Sequence, residues 1–281
     1  MLPLFEPPAP GSVDDGLRAY AEYLAKRDGP PDFERRTLAH RERETLRYEQ
    51  DAVLYDGPFD HALLARQHRS YDAERATPPE MQLLLCFLKV NANEAYAVER
   101  VLERPRAHDR SPELQRLALL EEGYHTRILL SAARLFGAEV KEAAAPVRTT
   151  RAITAGIARL PELASRPITL AAEVIGIVTF LRTLVAVRHV ARDRPALRDA
   201  LEERVTEVLV DELGHLSLNR LLATRGTFSA LRAIVPAIAL GTRGALPEAE
   251  ALGILPVPVR DAWTFDPVAL PDEVRRRAFI A

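Results

Sequence analysis

Alternation of apolar and polar residues with a period of two is scarce along this chain, so few segments could form a half-buried strand. Ala, Leu, Arg and Glu dominate the sequence, and all four favour helices. Prolines, glycines and short polar clusters divide the chain into segments of helical length. The pattern therefore predicts an all-α protein. Helices are expected at residues 13–27, 33–50, 59–76, 80–103, 112–136, 148–160, 167–192, 195–224, 227–240 and 272–279.

Composition and charge narrow the class of protein further. The 281 residues suffice for one large helical domain, and a net charge of -2 gives no basic field for nucleic acid. Residues 1–10 lack the basic flank and apolar core of a signal peptide, and the uncharged run at 174–181 is too short to span a bilayer. Cys86 is the only cysteine, which excludes an intrachain disulfide and a thiolate metal cluster. These features predict a cytoplasmic protein without a membrane or nucleic-acid partner.

Two histidines follow a glutamate at a spacing that suits a metal site, in the motifs Glu122-x-x-His125 and Glu212-x-x-His215. Three residues along a helix correspond to about 300° of rotation and ~4.5 Å of rise, so both side chains of each motif leave the same face. One such motif is weak evidence because glutamate is common here. Two motifs, each inside a long predicted helix, favour a shared metal centre.

A further glutamate matches each motif across a helical hairpin. Glu94 and Glu122 are equidistant from residue 108, which lies in the turn between their predicted helices. Glu173 and Glu212 are likewise equidistant from the break that precedes the next helix. Residues equidistant from the turn of an antiparallel hairpin lie at the same height. Each hairpin is therefore expected to present Glu opposite Glu-x-x-His.

Glu173 interrupts a run of residues, 168–181, that is apolar on nearly every face of a helix. A buried carboxylate costs several kcal/mol unless it is paired or binds a metal. The nearest basic residue before it is Arg166, and none follows within eight positions. Pairing with a distant arginine such as Arg127 is the alternative to metal binding.

Over about residues 80–224 the chain resembles the ferritin-like di-iron carboxylate superfamily. The matching residues are Glu94, Glu121-Glu122-Gly123-Tyr124-His125, Glu173 and Asp211-Glu212-Leu213-Gly214-His215. The resemblance implies a four-helix bundle with a long crossover at residues 78–225. Residues 1–77 would then form an arm and accessory helices, and residues 226–281 would form C-terminal helices and a Pro-rich tail on the same domain.

The resemblance also implies a ligand set for two iron ions, with manganese–iron as a variant, and for dioxygen as co-substrate. Glu94 and His125 would be terminal ligands of one iron, Glu173 and His215 would be terminal ligands of the other, and Glu122 and Glu212 would bridge. Asp211 and Glu121 would accept hydrogen bonds from the opposite histidines. Asp211 toward His125 is the firmer expectation of the two, since Glu121 could equally be helix-surface charge.

Three activities stay open at this point: oxidation of an organic substrate, ferroxidase or iron storage, and radical generation or electron transfer. Long segments precede and follow the predicted bundle, which favours the first. The layout is similar to bacterial arylamine N-oxygenases, although Val208 stands where those enzymes carry an extra histidine, and to soluble acyl-carrier-protein desaturases. A small or carrier-bound substrate, an external electron donor and a homodimer are therefore expected.

An apolar substrate pocket is predicted beside the metal ligands. Gly176 favours it, since glycine inside a helix costs about 1 kcal/mol relative to alanine and needs a reason, although close helix packing is an alternative reason. The candidate pocket residues are Val90, Ala97, Thr169, Gly176, Ile177, Phe180 and Val208. Basic residues of the crossover that could receive an anionic substrate, if they are more than a solvated helix face, are Arg148, Arg151 and Arg159.

Overall fold

The computed structural model describes residues 4–9, 11–26, 77–102, 111–136, 148–244 and 246–281. In this part of the chain every regular element is a helix, which confirms the predicted all-α class there. The helices are α1 (Ser12–Lys26), α2 (Pro78–Leu102), α3 (Pro112–Arg134), α4 (Arg148–Ala158), α5 (Glu162–Val190), α6 (Pro195–Leu222), α7 (Arg225–Gly241), α8 (Pro247–Ala251), α9 (Val259–Trp263) and α10 (Asp272–Arg277), with a 3-10 turn at Pro267–Ala269. The helices predicted at 33–50 and 59–76 lie outside the described residues.

Four long helices form the centre of the protein. Helix α2 packs along α3, and α5 packs along α6, so consecutive long helices form two pairs. The pairs join where α3 contacts α6 and where α2 contacts α5. A buried amide strengthens the first pair, because Asn91 Nδ2 donates a hydrogen bond of 2.7 Å to the Thr126 carbonyl. The interior between the four helices is where side chains from all of them can meet.

Helix α5 begins earlier than the sequence indicates. Pro167 was expected to open it, but the helix starts at Glu162 and includes Pro167. A proline inside a helix removes the hydrogen bond to the carbonyl four residues before it. That carbonyl belongs to Leu163, a residue of the first turn that is 69% exposed and therefore lies beside solvent. The lost bond is therefore inexpensive, and the helix continues through the proline.

The remaining helices cover the outside of the four long ones. Helix α1 packs on α6 through a cluster that includes Tyr20, Leu24 and Leu222. Helix α7 packs on α5, and α8 is tied to α2 by an ion pair of 2.6 Å between Lys89 and Glu248. Helix α10 contacts α6. The segments before and after the long helices therefore shield the ends and faces of the central core.

Helix α5 is long and apolar enough, by length and composition, to cross a membrane. The sequence pattern predicts no membrane-spanning segment, because the uncharged run at 174–181 is too short. In the structure 61% of its most apolar window is buried inside the protein, and residues such as Leu170, Val174 and Ile177 belong to the main hydrophobic core. A central core helix has the same character, because it contacts other helices on most of its faces.

Candidate metal centre

The structure brings the predicted carboxylates and histidines together between the four long helices. Helix α3 carries Glu122, α5 carries Glu173, and α6 carries both Glu212 and His215. One ligand atom from each of these four side chains lies within 4.8 Å of every other. In the predicted ligand set, Glu173 and His215 are the terminal ligands of one iron, and Glu122 and Glu212 are the bridging ligands. Glu173 therefore lies close to Glu212, as the symmetry of the second hairpin predicts.

His125 lies against the same carboxylates from the other side. Its Nδ1 atom is 3.3 Å from Glu122 Oε2 and 3.3 Å from Glu212 Oε1. His215 Nδ1 is 2.8 Å from the other oxygen of Glu122, and the two imidazole centroids are 5.6 Å apart. Glu122 thus directs one oxygen to each histidine. The resemblance predicts a bridging role for Glu122, and this role requires one oxygen on each side of the carboxylate.

The outer nitrogen of each histidine contacts a buried acid on the opposite helix. His125 Nε2 lies 3.3 Å from Asp211 Oδ2, and His215 Nε2 lies 3.0 Å from Glu121 Oε2. Asp211 and Glu121 are both 1% exposed. Both contacts predicted from the residue before each motif are present, and Glu121 is buried rather than part of a solvated helix surface. A carboxylate accepts from Nε2–H and leaves Nδ1 as the metal-binding nitrogen of the neutral ring.

Glu94, on α2, is the remaining predicted ligand, and it interacts electrostatically with the cluster. Its Oε2 atom is fully buried and has no hydrogen-bond partner. Burial raises the pKa of Glu94 well above its ordinary value; the positive charges of His125 and His215 lower it, whereas the negative charges of Glu122 and Glu212 raise it. The carboxyl group is thus placed within the electrostatic reach of the cluster, with one oxygen that nothing in the described protein satisfies.

Burial and neighbouring charges also shift the pKa of Glu173 and of the two histidines. Burial raises the pKa of Glu173 well above its ordinary value, and the neighbouring charge of Glu212 adds to this. Burial lowers the pKa of each histidine, but the surrounding carboxylates outweigh it, so the pKa of both His125 and His215 is well above its ordinary value. The metal-free cluster therefore holds protons that a bound cation would displace.

The donor set fits a pair of divalent metal ions. Neither Nδ1 of His125 and His215 forms a well-directed hydrogen bond, although both are buried and lie among carboxylates. Buried polar atoms without partners are rare unless a ligand satisfies them. Four carboxylates and two imidazoles are hard and borderline donors, which suit iron or manganese rather than a thiophilic metal. The fit rests on these orphaned atoms and on the chemistry of the donors.

A cavity of about 160 Å³ adjoins this cluster. It lies between α2, α3, α5 and α6, and three predicted ligands, Glu122, Glu173 and His215, form one part of its wall. Polar side chains form another part: Gln115, Ser165, Arg166, Thr169 and Asn219. The remainder is apolar, with Val101, Ala118, Leu119 and Leu218. The space beside the candidate metal centre is therefore more polar than the sequence indicates.

Of the predicted pocket residues, only Thr169 lines this cavity. Ile177, Phe180 and Val208 are buried in the main hydrophobic core, and Val90 packs against it.

The structure also bears on the predictions made for Gly176, Ala97 and the crossover arginines. A Cβ atom added at Gly176 would meet no neighbouring helix within 4 Å, so close packing does not explain that glycine. Ala97 is half-buried, and the crossover arginines Arg148, Arg151 and Arg159 do not line the cavity.

Arg166 and Asn219 are site residues that the sequence pattern did not identify. Arg166 Nη1 donates a hydrogen bond of 2.6 Å to Asn219 Oδ1, and Asn219 Nδ2 donates one of 3.0 Å to Glu173 Oε1. Glu173 therefore contacts an amide, and an arginine lies one step behind it. The signal was present in the spacing, because Arg166 precedes Glu173 by two helical turns and Asn219 follows His215 by one.

Comparisons with known proteins assign no family to this chain. Neither a scan of protein-family models, nor a search of curated proteins, nor a search of solved structures gave a match to this chain. The class that the structure defines is an all-helical protein with a buried carboxylate–histidine cluster able to hold metal.

Proposed function

We propose that the four long helices form a ferritin-like bundle holding two iron ions, and that the protein is an oxygenase or oxidase acting on an organic substrate. One observation carries the proposal: two buried histidines direct Nδ1 at shared carboxylates while Nε2 of each contacts its own buried acid. A structural ion-pair cluster has no need to orient both imidazoles in this way. A dinuclear metal site does, since the ring nitrogens that bind metal must be fixed.

The residues would divide between the two ions as follows. Glu94 and His125 would hold one iron, Glu173 and His215 would hold the other, and Glu122 with Glu212 would bridge. When bound, such a pair of ions supplies reduction of dioxygen next to the substrate. The protein supplies ligand geometry and a shielded interior. Asn219 fixes one oxygen of Glu173 by a hydrogen bond, which orients the carboxylate.

The cavity favours oxidation of an organic molecule over iron storage. It adjoins Glu122, Glu173 and His215 and has fixed polar side chains in its wall. A path for iron ions toward a mineral core needs exchangeable carboxylates along it, whereas the described wall beyond the ligands offers an arginine, two amides and two hydroxyls. The substrate would be small or carrier-bound, electrons would come from an external donor, and a cytoplasmic homodimer is the proposed setting.

Metal analysis and one round of reaction with dioxygen test this proposal. We expect two irons per chain in the wild-type protein and at most one in His125→Ala and His215→Ala. His189→Ala is the matched control, since that histidine is exposed on α5, and it should keep two. The ferrous protein should then react with dioxygen without accumulating ferric mineral. Growth of mineral well beyond two irons per chain would contradict the oxygenase and favour ferroxidase or storage activity, and a long-lived tyrosyl radical would favour radical generation.

A further inference from the structure

The cavity beside the candidate metal centre has a positively charged group at a fixed distance from the ligands. Arg166 and Glu173 both lie on α5 and both line the cavity. Seven residues of helix separate them, which is two turns on one face and about 10.5 Å along the axis. A ligand held by Arg166 would therefore extend along the cavity toward Glu173 and the metal centre.

The guanidinium of Arg166 is held in place by neighbours from three helices. Nη1 donates to Asn219 on α6, and Nη2 donates a hydrogen bond of 2.9 Å to Gln115 Oε1 on α3 and forms an ion pair with Glu162 on α5. Arg166 is 7% exposed. A planar cation fixed on several sides loses little further freedom when it binds a ligand, so the group is preorganised.

Two hydrogen-bond donors of this group remain without partners. Arg166 Nε and Gln115 Nε2 are both buried and form no hydrogen bond. Both residues line the cavity. A buried donor without a partner destabilises the folded protein, so an acceptor in the cavity would recover that cost. A carboxylate offers two acceptor oxygens, one for Arg166 Nε and one for Gln115 Nε2. Glu162 already pairs with one end of the guanidinium, but a bond from Nε is still charge-assisted, and such bonds are about twice as strong as neutral ones.

We propose that the cavity binds a small organic acid, with its carboxylate at Arg166 and Gln115 and the carbon to be oxidised next to the metal centre. This assignment of substrate class rests on the proposed function. The volume of about 160 Å³ limits the acid to the size of a single ring or a short chain, since a cavity of about 150 Å³ accommodates benzene. Asn219 accepts a hydrogen bond from Arg166 and donates one to Glu173, so the proposed acid site and the candidate metal centre share a fixed side chain.

The test compares two probes that differ in charge. Hexanoate and hexanamide are titrated calorimetrically into the 281-residue protein after its metal content has been measured. We expect hexanoate to bind at least tenfold more tightly than hexanamide. In Arg166→Gln this ratio should fall to about one, whereas Arg188→Gln, an exposed arginine on the same helix paired with Glu202, should leave the ratio unchanged.

Several outcomes would overturn the assignment. These are equal binding of the two probes, no binding of hexanoate or of the shorter acids down to acetate, and survival of the preference in Arg166→Gln. Because Arg166 also links three helices, Gln115→Leu provides a second variant; it should weaken hexanoate more than hexanamide even if Arg166→Gln does not fold. Metal content measured on the same samples separates the two proposals. Two irons per chain without acid binding refutes the substrate class alone, and no iron refutes the proposed function.

Discussion

The two histidines show how neighbouring side chains decide which nitrogen is offered to a metal. Asp211 lies at Nε2 of His125, and Glu121 lies at Nε2 of His215, each from the opposite helix. A carboxylate only accepts hydrogen bonds, so it fixes the proton on Nε2 and turns Nδ1 inward. The arrangement is reciprocal, because each Glu-x-x-His motif is preceded by the acid that orients the histidine of the other.

Replacing one of these acids should weaken metal binding without removing a ligand. In Asp211→Asn we expect iron affinity to fall about 10–100-fold, since the neutral amide no longer favours the proton on Nε2 of His125. Competition with a chelator of known affinity measures the change. Asp199→Asn, on the exposed surface of the same helix, is the control. An equal loss in both variants would mean that general charge, and not orientation of the histidine, is responsible.

The first turn of α2 is stabilised by a cap within its own sequence and by an arginine that is distant in the chain. Thr77 and Glu80 form a reciprocal cap, in which each side chain bonds the backbone N–H of the other at 3.2–3.4 Å. Arg194, which precedes α6, donates to the second oxygen of Glu80 at 2.8 Å. Ser111 stands at the start of α3, where the sequence predicts a cap, yet its side chain makes no capping bond. Residue type therefore indicates a helix start without determining the bond.

The cap of α2 makes a prediction with a defined pH dependence. Burial raises the pKa of Glu80, but hydrogen bonds from Arg194 and Thr77 outweigh it and lower the pKa overall. The contribution of the ionised group is thus complete above the pKa of the unfolded chain and is lost as pH falls through the lower, folded value. Glu80→Gln should cost about 1 kcal/mol at neutral pH and progressively less in acid.

Denaturant unfolding of both proteins at several pH values measures this difference. Glu113→Gln is a matched control, because that glutamate is exposed in the first turn of α3. A cost of Glu80→Gln that stayed constant down to acid pH would show that the charge of the carboxylate contributes nothing.

Gly176 lies beside open space, and its replacement by alanine tests whether that space has a function. A Cβ at Gly176 or at Gly156 would meet no neighbouring group within 4 Å, and both glycines lie inside helices. Each alanine variant should therefore gain up to about 1 kcal/mol of stability. If the space beside Gly176 admits dioxygen or substrate, Gly176→Ala should also slow oxidation, whereas Gly156→Ala should not. Equal oxidation rates in the two variants would leave Gly176 without a functional role.

In the protein as a whole, the candidate metal centre is also part of the core. Charged side chains from four helices meet in its interior, and the metal-free protein bears their desolvation cost without a cation. Metal that binds the folded chain stabilises it by about 2.7 kcal/mol at a free concentration one hundred times Kd. Iron-loaded protein should therefore unfold at a higher temperature than protein treated with chelator.

The increase in unfolding temperature on iron binding should depend on pH, and a variant of Glu122 provides a control. Because the carboxylates hold the pKa of His125 and His215 well above its ordinary value, protons compete with the metal, and the thermal shift should shrink as pH falls. Glu122→Gln removes the carboxylate between the two imidazoles and should abolish the shift. A shift that persisted in Glu122→Gln would place the bound metal elsewhere.

Sequence patterns alone were enough to predict the helical class of the described residues, most of the boundaries of their long helices and the two Glu-x-x-His motifs. These depend on local rules: helix propensity, the spacing of residues along one helix, and the symmetry of a hairpin about its turn. The resemblance to di-iron carboxylate proteins added the roles of Asp211 and Glu121, the acids that precede the two motifs. The sequence-based prediction for α5 was wrong at the first turn, since whether a helix continues through Pro167 depends on the exposure of the carbonyl that loses its bond.

The surroundings of the cluster depend on packing between helices. The cavity wall joins α2, α3, α5 and α6, so its composition depends on how four helices are rotated against one another, which no spacing within one helix fixes. The predicted pocket was apolar, and all but one of its residues lie elsewhere. The link from Arg166 through Asn219 to Glu173 connects residues far apart in the chain, and packing alone brings them within hydrogen-bond distance.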